Sequence, residues 1–299
     1  MNRRNFIKTG TASLAASALL HTTPAMAGKT NSTAASKKKP IGIQLYSLRD
    51  DMDKDAEGTL KKVAEIGYSF IETYGYRDGL FFGKKPKEFA AFVNDLGMKM
   101  TSSHTGFGVY ANNDTKAWDD VKRNMEDTKA TGSKWIVQAG YPGAKTPDDV
   151  KKLAETFNRI GELALSFGLK YAYHNHREEF RAIEDEQIPY QQLLEQTDKT
   201  KVWFQMDVGH VANEMVDYRM FMTLYPGRFG CLHMRDTNVI TKVATEMGTG
   251  HVALEEVYAL FKTAGVEDYY VEQEEYNYTP IESLRMCYDY LAKAKFVPF

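Results

Sequence analysis

The chain has 299 residues, 43% of them apolar and 26% charged, with a formal net charge of −2. Arg3, Arg4 and Lys8 sit near the N-terminus with no acid among them, so the remainder carries a charge of about −5. A chain this acidic lacks the basic surface that nucleic-acid binding requires, and its one basic run, Lys37 to Lys39, lies in polar sequence where solvation accounts for it.

The first segment reads Asn2-Arg3-Arg4-Asn5-Phe6-Ile7-Lys8, then a modest apolar stretch from Ala12 to Leu20, then Ala25-Met26-Ala27. This order resembles a twin-arginine export signal, residues 1–27, cleaved at an A-x-A site. The apolar stretch is too short to span a bilayer, and no Cys follows the cleavage site to take a lipid. The expected product is exported, periplasmic and without a membrane anchor. Residues 28–39 are mostly Ser, Thr, Ala and Lys with no apolar periodicity, and read as a flexible linker. From Pro40 to Phe299 about 260 residues remain, close to the roughly 250 of one (β/α)₈ barrel.

Short β-rich runs then alternate with amphipathic segments, the pattern of βα units around a parallel sheet. The expected strands are Ile41 to Tyr46, Ser69 to Thr73, Lys99 to Ser103, Lys134 to Gln138, Lys170 to His174, Val202 to Met206, Phe229 to His233 and Tyr269 to Glu272. Leu60, Val63, Ala64 and Ile66 mark one helix; Phe89, Phe92, Val93 and Leu96 mark the next at i, i+3, i+4, i+7 spacing. Later helices are expected over Val150 to Phe167, Leu254 to Ala264 and Ile281 to Ala294. Gly67, Gly97, Gly132, Gly168 and Gly265 each stand between a helix and a strand, where a left-handed residue ends the helix. Cys231 falls in a strand and Cys287 in a helix, so both read as buried thiols rather than a disulfide. No G-x-G-x-x-G follows the first strand, which argues against a dinucleotide site.

In such a barrel the active site forms at the C-terminal strand ends. Side chains alternate along a strand, so Val202, Phe204 and Met206 face the helices while Gln205 and Asp207 face the axis. The same parity brings Gln44, Tyr46, Glu72, His104, Gln138, His174, His233 and Glu272 to inward ends. Mixed His and carboxylate donors suit Mn²⁺, Zn²⁺, Co²⁺ or Fe²⁺, with Mg²⁺ the oxygen-preferring alternative. Six aromatics, Tyr74, Tyr76, Phe81, Phe82, Phe107 and Tyr110, fall in loops on that face and suit either a sugar-stacking wall or a contact between copies of the chain.

The segments Gly42-Ile43-Gln44-Leu45-Tyr46-Ser47, Tyr173-His174-Asn175-His176, Met206-Asp207-Val208-Gly209-His210, Leu232-His233-Met234-Arg235-Asp236 and Val271-Glu272-Gln273 resemble the xylose-isomerase-like TIM barrels of sugar isomerases and epimerases. The likeness runs over Pro40 to Phe299. It implies a metal held from the ends of strands five to eight. Asp207, His233 and Glu272 match the last three ligands; His174 stands where the ketose epimerases have a glutamate. That departure resembles the inosose dehydratase branch and leaves His174 or His176 as the fifth-strand ligand.

His104, His176 and Glu72 are then the candidate acids and bases, and Gln44, Tyr46, Gln138, His210, Arg235 and Glu274 the candidate substrate contacts. His251, after Gly248-Thr249-Gly250, lies in a turn expected to meet substrate through its backbone. The resemblance implies a metal-dependent sugar isomerase or epimerase working through an enediolate. A keto-sugar dehydratase or 3-keto-glycoside lyase, and a non-catalytic carbohydrate-binding barrel, are the alternatives. Export favours a free sugar or glycoside, and no phosphate cradle is evident.

Overall fold

The structure is a computed structural model and describes residues 39–108 and 114–297. The export signal, the linker as far as residue 38, and Tyr110 lie outside the described residues. Eight parallel strands close into a barrel: β1 (Gly42–Gln44), β2 (Phe70–Thr73), β3 (Lys99–Thr105), β4 (Trp135–Ala139), β5 (Lys170–His174), β6 (Val202–Asp207), β7 (Cys231–Met234) and β8 (Asp268–Val271). Each pairs with its neighbours in sequence, and β8 closes on β1 through Gly42 opposite Tyr270.

Alternation along these strands makes two cores. Outward residues such as Ile136, Tyr171, Tyr173, Phe204, Met206 and Leu232 pack against the surrounding helices. Inward, Trp135, Val137, Ala172, Cys231 and Tyr270 form a separate apolar floor inside the barrel. Gly230 makes room there, since a Cβ at that position would strike the Trp135 ring. Above the floor the interior turns polar: Gln44, Glu72, Ser102, Gln205, Asp207 and His233 are all fully buried. Polar groups removed from water must find partners, so this upper layer is where chemistry concentrates.

The helices begin where the sequence supplies caps. Pro147–Ser166 starts with a Thr146–Asp149 capping box and Pro at its first turn, and it buries the stripe Val150, Leu153, Ala154, Phe157, Ile160 and Ala164. Pro280–Lys293 starts the same way with Thr279 and Glu282. The five glycines between helix and strand all have positive φ, from 70° at Gly168 to 120° at Gly67. The segment expected as one helix from Leu254 to Ala264 is two, Leu254–Ala259 and Phe261–Ala264. Both cysteines are free and buried.

Two corrections bear on the site. The first strand stops at Gln44 because that side chain accepts from the Tyr46 N–H at 3.0 Å and caps a one-turn helix, Leu45–Leu48. Tyr46 therefore leaves the barrel interior and stands 39% exposed at the rim. The second concerns the aromatic wall. The segment after β2 folds back as a hairpin, Tyr76–Arg77 against Leu80–Phe81, which turns Phe81 fully inward to stack on Phe89 at 5.8 Å. Phe82 also packs on Phe89, so packing claims these two and leaves Tyr74 and Tyr76 half-buried on the open face, with Phe107 lining the cavity beside them.

Candidate metal centre

His233 is the hub of the buried polar layer. Its Nδ1 lies 2.6 Å from Glu272 Oε2 and its Nε2 lies 2.5 Å from Glu72 Oε1. Burial opposes the charged imidazole, but Glu272 and Glu72 overcome it and raise its pKa to about 10. Arg235, also buried, donates through Nε to Asp207 at 2.8 Å and through Nη2 to Glu272 at 2.7 Å and Glu274 at 3.2 Å. The other Asp207 oxygen caps the helix Val208–Asn213 by accepting from the His210 N–H at 2.9 Å. Local secondary structure thus fixes this carboxylate before any ligand arrives.

Around this hub the histidines crowd together. The His174 ring lies 4.5 Å from His233, 4.8 Å from His104 and 4.9 Å from His176, and His104 stacks on His233 at 5.0 Å. His174, Asp207, His233 and Glu272 each bring a ligand atom within 4.8 Å of the others, and His104, His174 and His233 do the same. His176 stays outside both groups, half-buried beside His210 at 5.3 Å between rings. His210 has a buried Nδ1 with no partner among the described residues, and burial, opposed by Asp207, lowers its pKa to about 4.

The donor set suits a divalent cation. Burial also lowers the pKa of His104 and of His174, which keeps both neutral, the form that ligates metals. Glu72, Asp207 and Glu272 outnumber the two cations that pair with them, Arg235 and protonated His233, which leaves an excess of negative charge at the cluster. Two imidazoles and two carboxylates match Zn²⁺, Mn²⁺, Fe²⁺ or Co²⁺ better than an all-oxygen cation site.

The remaining expected residues are placed as follows. Glu72 lies beneath the cluster, fully buried, with both oxygens accepting. Gln44 donates to Glu72 at 2.7 Å, and Gln138 spends its amide on Phe107 N–H and on the carbonyls of Ala139 and Gly140. Both are fully engaged inside the protein. Glu274 sits higher, its side chain 29% exposed, and burial raises its pKa against the pull of Arg235. Beside His104 a cavity of about 570 Å³ opens between Tyr74, Tyr76 and Phe107, within the size range of small-molecule sites.

The glycine turn before His251 is a correction. Asp236 accepts backbone N–H bonds from Thr237, Gly248, Gly250 and Val252 at 2.9–3.1 Å, so these donors point into the protein rather than toward a substrate, and His251 is exposed. Asp236→Ala would orphan four amides. It is expected to cost about 3 kcal/mol or more in urea unfolding, with the largest rise in hydrogen exchange at residues 236–252.

Sequence reasoning did not single out Gln205, Ser102 or Asn175. Gln205 and Ser102 bond Glu72, and Asn175 accepts from the Asp207 N–H at 3.1 Å. Strand parity pointed Gln205 inward, but nothing local distinguishes a supporting amide from a ligand.

A family model described as xylose isomerase-like TIM barrel matches residues 60–289. The chain belongs to that family. Within the xylose isomerase-like barrels, a sugar phosphate isomerase/epimerase from Parabacteroides distasonis is 28% identical, with a TM-score of 0.80 over 89% of this chain and 97% of that one. An inosose dehydratase of Geobacillus thermodenitrificans is 25% identical over 147 residues, 44% of this chain and 48% of that protein, so the match spans about half of that relative. An IOLI protein with a bound zinc atom has a TM-score of 0.66 at 15% identity, covering 87% of this chain and 100% of that one, a likeness of fold alone.

Proposed function

We propose that the chain is a divalent-metal-dependent isomerase or epimerase of a non-phosphorylated sugar. The observation that carries this reading is the convergence of His174, Asp207, His233 and Glu272 within 4.8 Å at the polar end of the barrel. These four residues would hold a divalent cation, which would supply Lewis-acid polarisation of a sugar carbonyl. His104, neutral and placed where the cavity meets the cluster, takes the proton from the adjacent carbon and leaves an enediolate. Returning a proton to the other carbon gives the isomer; returning it to the opposite face gives the epimer. Glu274, at the rim and raised in pKa, is the group suited to that return. Arg235 keeps the carboxylates apart and in place. An unphosphorylated substrate agrees with the cavity lining, where Arg77, Lys116 and Arg123 are matched by Asp78, Asp114 and Asp120.

A dehydratase or lyase is the second reading, favoured by His174 at the position where the epimerases of this family carry a glutamate. There the carbon-bound proton goes to His104, and the substituent on the next carbon leaves with a proton from His176, as water or an alcohol. The 25% identity to an inosose dehydratase supports it. NMR in deuterated buffer with free sugars and 3-keto-glycosides, with and without chelator, separates the two. Chelator-sensitive deuterium entry into intact sugar supports isomerisation or epimerisation, and loss of a substituent supports elimination. Neither event with any substrate would leave a binding barrel.

A further inference from the structure

We propose that Glu72 and Gln205 form a platform beneath the cluster that decides which nitrogen of His104 and of His174 carries a proton, and that holds the Nε2–H of His233. An ionised carboxylate only accepts hydrogen bonds. Glu72 Oε1 accepts from Gln44 Nε2 at 2.7 Å and from His233 Nε2 at 2.5 Å; Oε2 accepts from Ser102 Oγ and from Gln205 Nε2 at 2.8 Å. Every accepting direction is filled, and the residue has no exposed surface.

The rest follows by elimination. Gln205 must turn its NH₂ toward Glu72, because a flipped amide would set its carbonyl oxygen against the carboxylate. Its Oε1 then points the other way and can only accept. Two ring nitrogens meet that oxygen, His104 Nε2 at 2.6 Å and His174 Nδ1 at 3.0 Å. Both must be N–H donors. In the neutral form of each ring the lone pair therefore falls on Nδ1 of His104 and on Nε2 of His174. The same carboxylate accepts from the Nε2–H of His233, whose Nδ1–H donates to Glu272.

Glu72 is thus a positioning residue. It touches no space open to substrate, and it acts through three imidazoles at once. A hydrogen-bonded neighbour that fixes the tautomer of a ligating histidine is worth about 10–100-fold in metal affinity in other proteins. The consequence for ligation rests on the metal-centre reading; the tautomers themselves do not.

The test is a long-range ¹H–¹⁵N correlation spectrum of the metal-free full chain labelled at histidine, at a pH where His104 and His174 are neutral. It distinguishes Nδ1–H from Nε2–H directly. The expected wild-type result is His104 with Nε2–H and His174 with Nδ1–H. In Glu72→Gln the new NH₂ must face Gln205, because on the other side it would meet two donors, Gln44 and His233. Gln205 then turns over, both tautomers swap, and zinc affinity falls by about 10–100-fold. Should that variant not fold, Gln205→Leu is read instead and is expected to give both rings mixed tautomers. The opposite tautomers in the wild type, or unchanged tautomers in either folded variant, overturn the proposal. A wild type with the expected tautomers that binds no zinc supports the platform and sinks the metal-centre reading.

Discussion

His233→Ala is expected to lower divalent-metal affinity by more than about a hundredfold and to destabilise the metal-free protein by about 3–5 kcal/mol. Two effects act on one residue. The imidazole is one of four donors whose ligand atoms converge within 4.8 Å, so its loss removes a ligand outright. It is also the cation between Glu272 and Glu72, at 2.6 and 2.5 Å, and both carboxylates are buried. Without it they remain in a medium that disfavours charge, and that penalty exceeds what the intact pair contributed. Equilibrium dialysis with Zn²⁺ or Mn²⁺ and urea unfolding of the apo-protein read the two effects separately. A folded variant with wild-type metal affinity would remove His233 from the centre.

Metal affinity is expected to rise with pH, by about tenfold per unit between pH 7 and 9. In the apo-protein His233 holds a proton up to about pH 10, which a cation must displace to reach the nitrogen. The apo-protein moves the opposite way. A histidine whose pKa is raised on folding stabilises the fold fully below its unfolded value near 6.5, and that stability is lost as pH climbs through about 10. The shift corresponds to about 4–5 kcal/mol. On the acid side the sign reverses. Burial would raise the pKa of Glu272, yet His233 and Arg235 hold it well below the usual range, and Glu72 is lowered likewise by His104 and His233. Their stabilisation is present above the ordinary carboxylate range and is lost as pH falls below it. Apo-protein melting should therefore decline on both sides of a maximum near pH 5–6.5, while metal-loaded protein keeps its stability at pH 8–9. An affinity independent of pH would mean that His233 gives up no proton to the metal.

Local sequence carried most of the barrel. The spacing of Leu60, Val63 and Ile66, the glycines that end helices, and the alternation in Val202–Asp207 depend on nearest neighbours and on a period of two or 3.6. The same alternation turned Asp207, His233 and Glu272 inward, and they do meet. What could not be read depends on distant chain. The exit of Tyr46 follows from a side-chain cap by Gln44, and the loss of Phe81 and Phe82 from the aromatic wall follows from a hairpin closing over Phe89. Arg235 was expected near substrate. Its three carboxylate partners come from β6 and from the segment after β8, and only closure of the barrel reveals that it is locked among them. The amides of residues 248–252 turn inward because Asp236 is buried beside them, which no motif states.

The central claim is a mixed imidazole and carboxylate centre at His174, Asp207, His233 and Glu272. X-ray absorption at the zinc edge of the reconstituted full-length protein tests it most directly. The account predicts one ion per chain in a shell of nitrogen and oxygen donors, two of them imidazoles, with the imidazole signal reduced in His174→Ala. Protein that retains no zinc, or zinc in a shell without imidazole, would contradict it.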